Sequence, residues 1–156
     1  MKVRKPKPPS DAVLRDIALT GDDHELIAAA NAVLERHYRP FWHTVAAALR
    51  SKDGRIWTGM HIGTTVGRLA ICAEAVALGR AILDGDGTVQ TAVAIRHPKP
   101  EEEDRELAVV PPCGGCREML LDHVPEAMVI VRVLGTTYHR HAETLGWFHG
   151  RTRRAR

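Results

Sequence analysis

The chain has 156 residues, of which 44% are hydrophobic, 26% charged and 4% aromatic, and its formal net charge is +3. This composition excludes a disordered chain, and the length favours one domain, since domains commonly have roughly 100–200 residues. No apolar run approaches the roughly 20 residues of a membrane span, and the N-terminus lacks the apolar stretch of a signal peptide. We therefore expect a soluble, cytoplasmic protein.

Both ends of the chain are basic, and we predict a flexible arm over 1–9, a single domain over 10–150 and a basic tail over 151–156. The two ends hold eight of the 22 Lys and Arg residues and no acidic residue, so the domain, with 14 basic and 19 acidic residues, has a net charge of −5. The pI near 9.0 therefore comes from the ends and gives only weak support to a nucleic-acid partner.

The first part of the domain predicts two helices and a hairpin. One helix begins near Ser10 or Asp11, and the next is capped by Asp22 or Asp23, carries one apolar face and ends before Pro40. Asp-Gly between apolar segments is a strong hairpin signal. Two strands joined by Lys52-Asp53-Gly54 are therefore expected over 43–51 and 55–63.

The second part of the domain alternates helices with strands. In chain order the pattern predicts a helix over 72–83, a strand over 89–95, an exposed acidic loop over 97–106 and a short apolar segment over 107–110. A helix over 112–124, two strands over 128–134 and 136–141, and a last helical turn over 144–149 follow. Strands that alternate with helices after a leading hairpin indicate a layered α/β domain with a mixed sheet.

The three cysteines fall in two motifs, Cys72-Ala73-Glu74 and Pro112-Cys113-Gly114-Gly115-Cys116-Arg117, each at the start of a predicted helix. An odd number of cysteines argues against a disulfide framework, whereas a helix N-terminus stabilises thiolates that can share one ion. Zn²⁺ takes thiolates in tetrahedral geometry, and three protein ligands leave a fourth position for water, whose pKa falls from ~15.7 to about 7. We predict one catalytic zinc per subunit, bound by Cys72, Cys113 and Cys116.

Glu74 lies two residues beyond Cys72, close enough to reach the water without binding the metal. It could take a proton from water and return it to a substrate nitrogen. Three zinc-binding cysteines, a glutamate that is not a ligand and Pro-Cys-x-x-Cys together form the pattern of zinc deaminases. A structural zinc, with a fourth ligand from the nine histidines, and a redox Cys-x-x-Cys pair are the alternatives, but neither requires Glu74.

The sequence resembles the cytidine deaminase family, and within it the blasticidin-S deaminases. The resemblance is densest over Ser51-Lys-Asp-Gly-Arg-Ile-Trp-Thr-Gly, Cys72-Ala-Glu-Ala-Val-Ala-Leu-Gly and Pro112-Cys-Gly-Gly-Cys-Arg-Glu-Met-Leu-Leu. It implies a three-layer α/β/α fold with a mixed five-stranded sheet, hydrolytic deamination of a cytosine ring, and a homotetramer or dimer. It also assigns the three cysteines to zinc and Glu74 to proton transfer.

Arg117 follows directly after Cys116 and is a candidate for tuning the metal. Three thiolates on Zn²⁺ leave a charge of about −1, which weakens the ion as a Lewis acid. Arg117 is positioned to hydrogen-bond a sulfur and offset that charge. An ordinary surface arginine on a helix would occupy the same position, so the sequence leaves both interpretations open.

The substrate side departs from the family pattern. Family members carry Gly-x-Asn-x-Glu at the end of the second strand, where Asn and Glu hold the ribose hydroxyls; here His61 stands for Asn and Gly63 for Glu. The aromatic residue that lines the base pocket falls at His43, and we assign His43, His61 and Ala73 to substrate binding. The substrate could be cytidine, a modified cytosine nucleoside such as blasticidin S, another aminated heterocycle or a free base.

A nucleic-acid-binding module is the competing functional class, with structural zinc and the basic ends contacting phosphates. The chain has only two Phe, two Tyr and three Trp for base stacking, and this module leaves Glu74 without a role. An enzyme that edits nucleic acid more often has His-x-Glu than Cys72-x-Glu74. We therefore expect a small-molecule substrate and further copies of the chain as partners, without nucleic acid or membrane.

Overall fold

The computed structural model describes residues 19–133 and 136–141, with side chains described for 19–132. The predicted basic arm, the helix near Ser10, the turn over 144–149 and the basic tail lie outside these residues, so both predicted domain boundaries stay predictions.

Three α-helices and six strands form the described part of the chain. The helices are α1 (Gly21–His37), α2 (Ala73–Asp84) and α3 (Gly114–His123); the strands are β1 (Val45–Arg50), β2 (Ile56–Met60), β3 (Thr91–Arg96), β4 (Ala108–Val110), β5 (Met128–Val133) and β6 (Thr136–His141). The predicted elements within these ranges are confirmed, with ends that differ by a few residues. None of the described helices has the length and apolar character that crossing a bilayer requires.

The sheet has the order β2-β1-β3-β5-β6, with β4 attached to β3. β1 is antiparallel to β2 and β3, β3 is parallel to β5, and β5 is antiparallel to β6, so the predicted mixed five-stranded sheet is confirmed. β4 is a short sixth strand. It pairs with the end of β3 over Ala94–Arg96, whereas β5 pairs with the beginning of β3 at Thr91 and Ala92.

The N-terminus of α1 is capped differently from the prediction. Thr20 is the capping residue: its hydroxyl accepts the amide hydrogen of Asp23, and the Asp23 carboxylate accepts the amide hydrogen of Thr20 at 2.7 Å. The expectation that Asp22 or Asp23 caps this helix was therefore wrong. Asp23 is instead the third helical residue, the reciprocal partner in a capping box.

Helices cover both faces of the sheet. On one face α1 packs Leu26, Ala30 and Leu34 against alternate residues of β1 and β3 and against Ile130 of β5. On the other face α2 and α3 pack against the remaining residues of the same strands, Ala47 and Leu49 among them. The continuous apolar run of β1 is thus explained by burial on both sides, and the predicted three-layer α/β/α fold is confirmed.

The leading hairpin places the end of β2 next to the start of α2. Its turn includes Gly54, whose φ of +87° suits glycine because a side chain is strained there. The hairpin pairs Arg50 with Ile56 and Ala46 with Met60. Beyond β2, Ile62 pairs with Ile71, so the chain that leaves the sheet lies directly beside the residue preceding Cys72.

Candidate metal centre and substrate pocket

Two helix N-termini converge and bring the three cysteines together. Cys72 is the N-cap of α2 and Cys113 the N-cap of α3, both with extended backbones, while Cys116 lies in the first turn of α3. The three sulfurs all lie within 4.8 Å of one another, and the Sγ atoms of Cys72 and Cys113 are 3.6 Å apart. The two motifs therefore form one cluster, at the positive ends of two helix dipoles.

The spacing of the cluster fits a tetrahedral zinc ion. Zinc–sulfur bonds of about 2.3 Å in tetrahedral geometry separate two sulfurs by roughly 3.8 Å, close to the observed distance between Cys72 and Cys113. The backbone amide of Cys116 donates to the Cys113 sulfur at 3.5 Å, which holds the Cys-x-x-Cys turn in a shape that points both sulfurs to the same side. Among the described residues, this is the one cluster of three or more metal-ligating side chains.

The three thiols differ in their local electrostatics. Burial opposes ionisation of Cys113, but hydrogen bonds from the Cys116 amide and the Cys72 thiol outweigh it and lower the pKa of Cys113. Burial, followed by the neighbouring thiol of Cys113, raises the pKa of Cys72. Burial and then the negative charge of Glu74 raise the pKa of Cys116. Without a cation, the cluster therefore resists carrying three negative charges, so a divalent cation is the natural partner of the fully ionised set.

Glu74 is buried beside the cluster, with a relative exposure of 7%. It lies in the first turn of α2, two residues after Cys72. Burial raises the pKa of Glu74, and hydrogen bonds from its own amide and from the Cys116 thiol offset part of that rise. A carboxyl group whose pKa is raised by burial takes up a proton more readily than an exposed one, as proton-transfer chemistry requires.

Gly59 sets how closely α2 approaches the sheet. It lies in β2, where an added Cβ would collide with the Ala73 carbonyl and would lie 2.5 Å from the Ala77 amide nitrogen. Ala73 itself is fully buried. The sequence analysis missed Gly59, although a glycine inside a strand pattern is a known sign of close backbone approach.

Arg117 supports the backbone segment that leads to the cysteine cluster. Its Nε–H donates to the Pro112 carbonyl at 2.9 Å, one residue before Cys113. Pro112 is buried, and Arg117 is half-buried. This contact fixes the backbone that leads to the ligand, whereas the predicted hydrogen bond from Arg117 to a sulfur stays a prediction.

Two of the three residues predicted to bind substrate meet at the strand ends. Nδ1 of His43 lies 3.0 Å from the His61 carbonyl oxygen, and Nδ1 of His61 lies 3.4 Å from the Thr44 hydroxyl. Both rings are half-buried. Burial, and secondly the charge of His43, lower the pKa of His61. Thr44 was not singled out from the sequence, which offers no local signal for it.

The segment before β1 packs against the backbone of Gly63. The Gly63 amide donates to the Trp42 carbonyl at 2.7 Å, and a Cβ on Gly63 would lie 2.6 Å from the Phe41 carbonyl oxygen. Phe41 has a φ of +67° and a side chain that is 78% exposed. Phe41 therefore does not belong to the core. Since Ile62 pairs with Ile71, this wall lies beside the segment that leads to Cys72.

Comparison with known proteins agrees with this geometry. Residues 20–132 match the family model for the cytidine and deoxycytidylate deaminase zinc-binding region. A blasticidin-S deaminase of Bacillus cereus is 38% identical over 122 residues, which cover 78% of this chain and 87% of the relative. A cytidine deaminase of Halalkalibacterium halodurans is 32% identical over 105 residues, or 67% and 74% of the two chains. The crystal structure of cytidine deaminase from Burkholderia pseudomallei superposes with a TM-score of 0.63 at 27% identity, covering 81% and 96%.

Proposed function

Because the chain belongs to the cytidine and deoxycytidylate deaminase family and is a zinc-dependent aminohydrolase, we propose that it deaminates a cytosine-type nucleoside or analogue, such as cytidine or blasticidin S. The observation that carries this proposal is the burial of Glu74 beside a cluster of three sulfurs that has the spacing of a zinc site. A structural zinc site has no need of a buried carboxyl group next to its ligands.

Proton transfer by Glu74 is the central step of the proposed reaction. Zinc, when bound by Cys72, Cys113 and Cys116, supplies a Lewis acid that brings the pKa of water to about 7. Glu74 takes a proton from the attacking water and gives it to ring N3 while the C–O bond forms at C4. It then moves the second proton from the new hydroxyl to the amino group. The C–N bond breaks, ammonia leaves and a carbonyl remains at C4.

The substrate would contact His43, His61 and the backbone of Ala73. Ala73 is the first residue of α2, and the first amide groups of a helix have no intrahelical acceptor, so its N–H is available to a ligand. The two histidines stand where the strands end beside the metal cluster. The alternative substrates, another aminated heterocycle or a free base, draw support from Gly63, which offers no side chain to hold a ribose hydroxyl.

Exchange of Glu74 for glutamine tests the reaction. Purified zinc-loaded protein would be screened for ammonia release from cytidine, deoxycytidine, cytosine, blasticidin S and guanine. We expect Glu74→Gln to retain zinc and to lose about 10²–10⁴ in kcat on every accepted substrate. The exposed Glu103→Gln is the matched control. Full activity of Glu74→Gln, or a protein that binds no stoichiometric zinc, would refute the proposal.

Exposed apolar side chains next to the substrate pocket support assembly of several copies of the chain into a dimer or tetramer. Phe41 is 78% and Leu69 61% exposed, and Ile62, Val66 and Ile71 are also exposed in the same two segments. Apolar side chains exposed in neighbouring segments commonly mark an interface. Sedimentation of the zinc-loaded protein should give a dimer or tetramer that Leu69→Glu weakens; a monomer at micromolar concentration would contradict this.

A reducing compartment such as the cytoplasm fits the metal site. Zinc binding needs three reduced cysteines, and the sulfurs of Cys72 and Cys113 are only 3.6 Å apart. Oxidising conditions would favour a disulfide between them over metal binding. If blasticidin S is the substrate, the reaction would also protect a cell from this antibiotic, which growth of a sensitive strain expressing the chain would show.

A further inference from the structure

The three cysteines of the metal cluster are not equally open to solvent. Cys113 is exposed, Cys72 is half-buried, and Cys116 is buried with a relative exposure of 3%. Zinc binding makes all three sulfurs thiolates, so exposure is what distinguishes their reactivity towards an oxidant. A small reagent that enters the site therefore meets the sulfur of Cys113 first.

Two glycines keep the approach to the Cys113 sulfur open. Gly114 and Gly115 are the first residues of α3. Among the described residues, a Cβ on Gly114 would meet nothing within 4 Å. Outside the helix backbone and its chain neighbours, a Cβ on Gly115 would meet only the Cys113 sulfur, at 3.9 Å. The space beside this sulfur is thus left free by the lack of a side chain at position 115.

Cys72 lies in position to react with an oxidised Cys113. The two residues are the N-caps of different helices, α2 and α3, and their sulfurs are 3.6 Å apart. A disulfide has a sulfur–sulfur distance of about 2.05 Å, so the two sulfurs need to approach by only about 1.5 Å. An exposed thiolate beside a second thiol is the arrangement of cysteines that oxidise reversibly.

We propose that Cys113 is a site of modification by hydroperoxides and that the reaction ends in a disulfide between Cys72 and Cys113. The Cys113 thiolate attacks a peroxide oxygen: the S–O bond forms, the O–O bond breaks and hydroxide leaves. The Cys72 thiolate then attacks the Cys113 sulfur: the S–S bond forms, the S–O bond breaks and a second hydroxide leaves. Two electrons pass from the two thiolates to the peroxide.

This disulfide switches the metal site off reversibly. It removes two of the three ligands and leaves Cys116 alone, whereas zinc sites in proteins use three or four protein ligands. The ion is therefore released, and deamination stops until a thiol reductant and zinc restore the cluster. The inference rests on the zinc site and does not depend on which substrate the protein accepts.

Zinc release and thiol loss on treatment with hydrogen peroxide are the direct measurements. A metal indicator should show that the zinc-loaded protein loses its zinc together with two of its three thiols. Dithiothreitol and added zinc should then restore both. Trypsin locates the disulfide, because Cys72 lies in the peptide 69–80, whereas Cys113 and Cys116 share the peptide 106–117. We expect the two peptides to be joined through Cys72 and Cys113, with Cys116 free for alkylation.

Two substitutions that keep all three ligands test the access to Cys113. Gly115→Val places a side chain beside the Cys113 sulfur and should slow zinc release several-fold. Gly114→Val is the matched control, since its Cβ meets open space, and should release zinc at the wild-type rate. Zinc content before oxidation checks each variant. If valine at 115 prevents zinc binding, Gly115→Ala should give a smaller effect in the same direction.

A disulfide between Cys113 and Cys116, which stays within the peptide 106–117, would overturn the inference. So would zinc that stays bound in peroxide, or equal release rates in Gly115→Val and Gly114→Val. The Glu74→Gln protein should release zinc as the wild type does, because its cysteines are unchanged. If zinc is released as expected but the wild-type protein deaminates none of the substrates offered, the proposed function fails and this inference stands.

Discussion

The metal end of the site, formed by Cys72–Glu74 and Pro112–Arg117, and the proposed substrate wall, formed by Phe41–Thr44 and His61–Gly63, are built differently. The metal end stands on two helix N-termini, and Cys116 is 3% exposed. The substrate wall consists of strand ends and a loop, with half-buried histidines and an exposed Phe41. A fold of this kind can hold its chemistry fixed at two helix N-termini while its selectivity changes in strand ends and a loop.

Removal of a metal ligand should have the largest effect. Cys116→Ser would place a hard oxygen at a buried position where zinc prefers a thiolate, and we expect stoichiometric zinc to be lost. Deamination should fall by at least about a thousandfold, since the ion supplies the reactive water. Metal analysis and ammonia release measure both. Wild-type protein stripped by a chelator and reloaded with zinc is the control, and must regain activity.

A methyl group under the metal end should cost stability. In Gly59→Ala the new Cβ would meet the backbone of Ala73 and Ala77, so α2 must shift. We expect the free energy of unfolding to fall by about 1–3 kcal/mol, as for other overpacked cores, and zinc affinity to fall with it. Denaturant titration and competition with a metal indicator would measure these changes.

Gly79→Ala is the matched control for this change. Gly79 lies within α2, and a Cβ there would meet nothing within 4 Å. The exchange should therefore raise stability by about 0.5–1 kcal/mol, because alanine favours a helix over glycine. If Gly59→Ala were as stable as wild type, the metal end would tolerate displacement. The two regions would then not differ in how much a structural change costs.

The two regions also differ in how far the sequence predicts them. The zinc ligands and Glu74 lie in short motifs, so residue type and spacing sufficed to predict the cluster. β1 was predictable as a strand because Asp53-Gly54 joins two apolar segments, a pattern typical of a hairpin. The cap of α1 was missed because Asp22 and Asp23 are good capping types too, and only the backbone shows that Thr20 precedes the first helical residue.

The substrate wall resists prediction because its contacts join distant segments. His43 and His61 lie 18 residues apart, and no local pattern indicates that Nδ1 of one faces the carbonyl of the other. The hydrogen bond from the Gly63 amide to the Trp42 carbonyl depends on how the hairpin and the preceding loop pack. A family comparison shows which residue is missing at position 63, but only the three-dimensional arrangement shows that backbone fills its place.

Substitutions of Arg117 test whether this residue supports zinc binding through its charge or by positioning the backbone of the metal end. Its Nε–H bonds to the Pro112 carbonyl, so both Arg117→Lys and Arg117→Met should weaken zinc binding, by about tenfold, as loss of a supporting contact does. If offsetting the thiolate charge is what matters, Arg117→Lys should bind zinc as tightly as wild type. The exposed Arg68→Lys is the control for a change of cation elsewhere on the surface.

A methyl group at the substrate wall should have the smallest effect, and a selective one. In Gly63→Ala the Cβ pushes on the carbonyls of Phe41 and Trp42. Gly63 is buried and the Cβ would meet backbone atoms, but these belong to the loop before β1 rather than to a helix packed on the sheet. The free energy of unfolding should therefore fall by less than the roughly 1–3 kcal/mol expected of Gly59→Ala. His43 follows Trp42, and its displacement should raise KM about three- to tenfold, the effect of one weakened hydrogen bond, with zinc content unchanged.

Gly67→Ala, where a Cβ meets nothing within 4 Å, should leave KM unchanged and serves as the control for Gly63→Ala. If Gly63→Ala lowered zinc affinity as much as Gly59→Ala, the two regions would be one mechanical unit, joined through the pairing of Ile62 with Ile71. If Gly63→Ala altered only KM, the pairing of Ile62 with Ile71 would not pass the displacement on to the metal end. Selectivity could then change at residues 61 and 63 while the metal end kept its geometry.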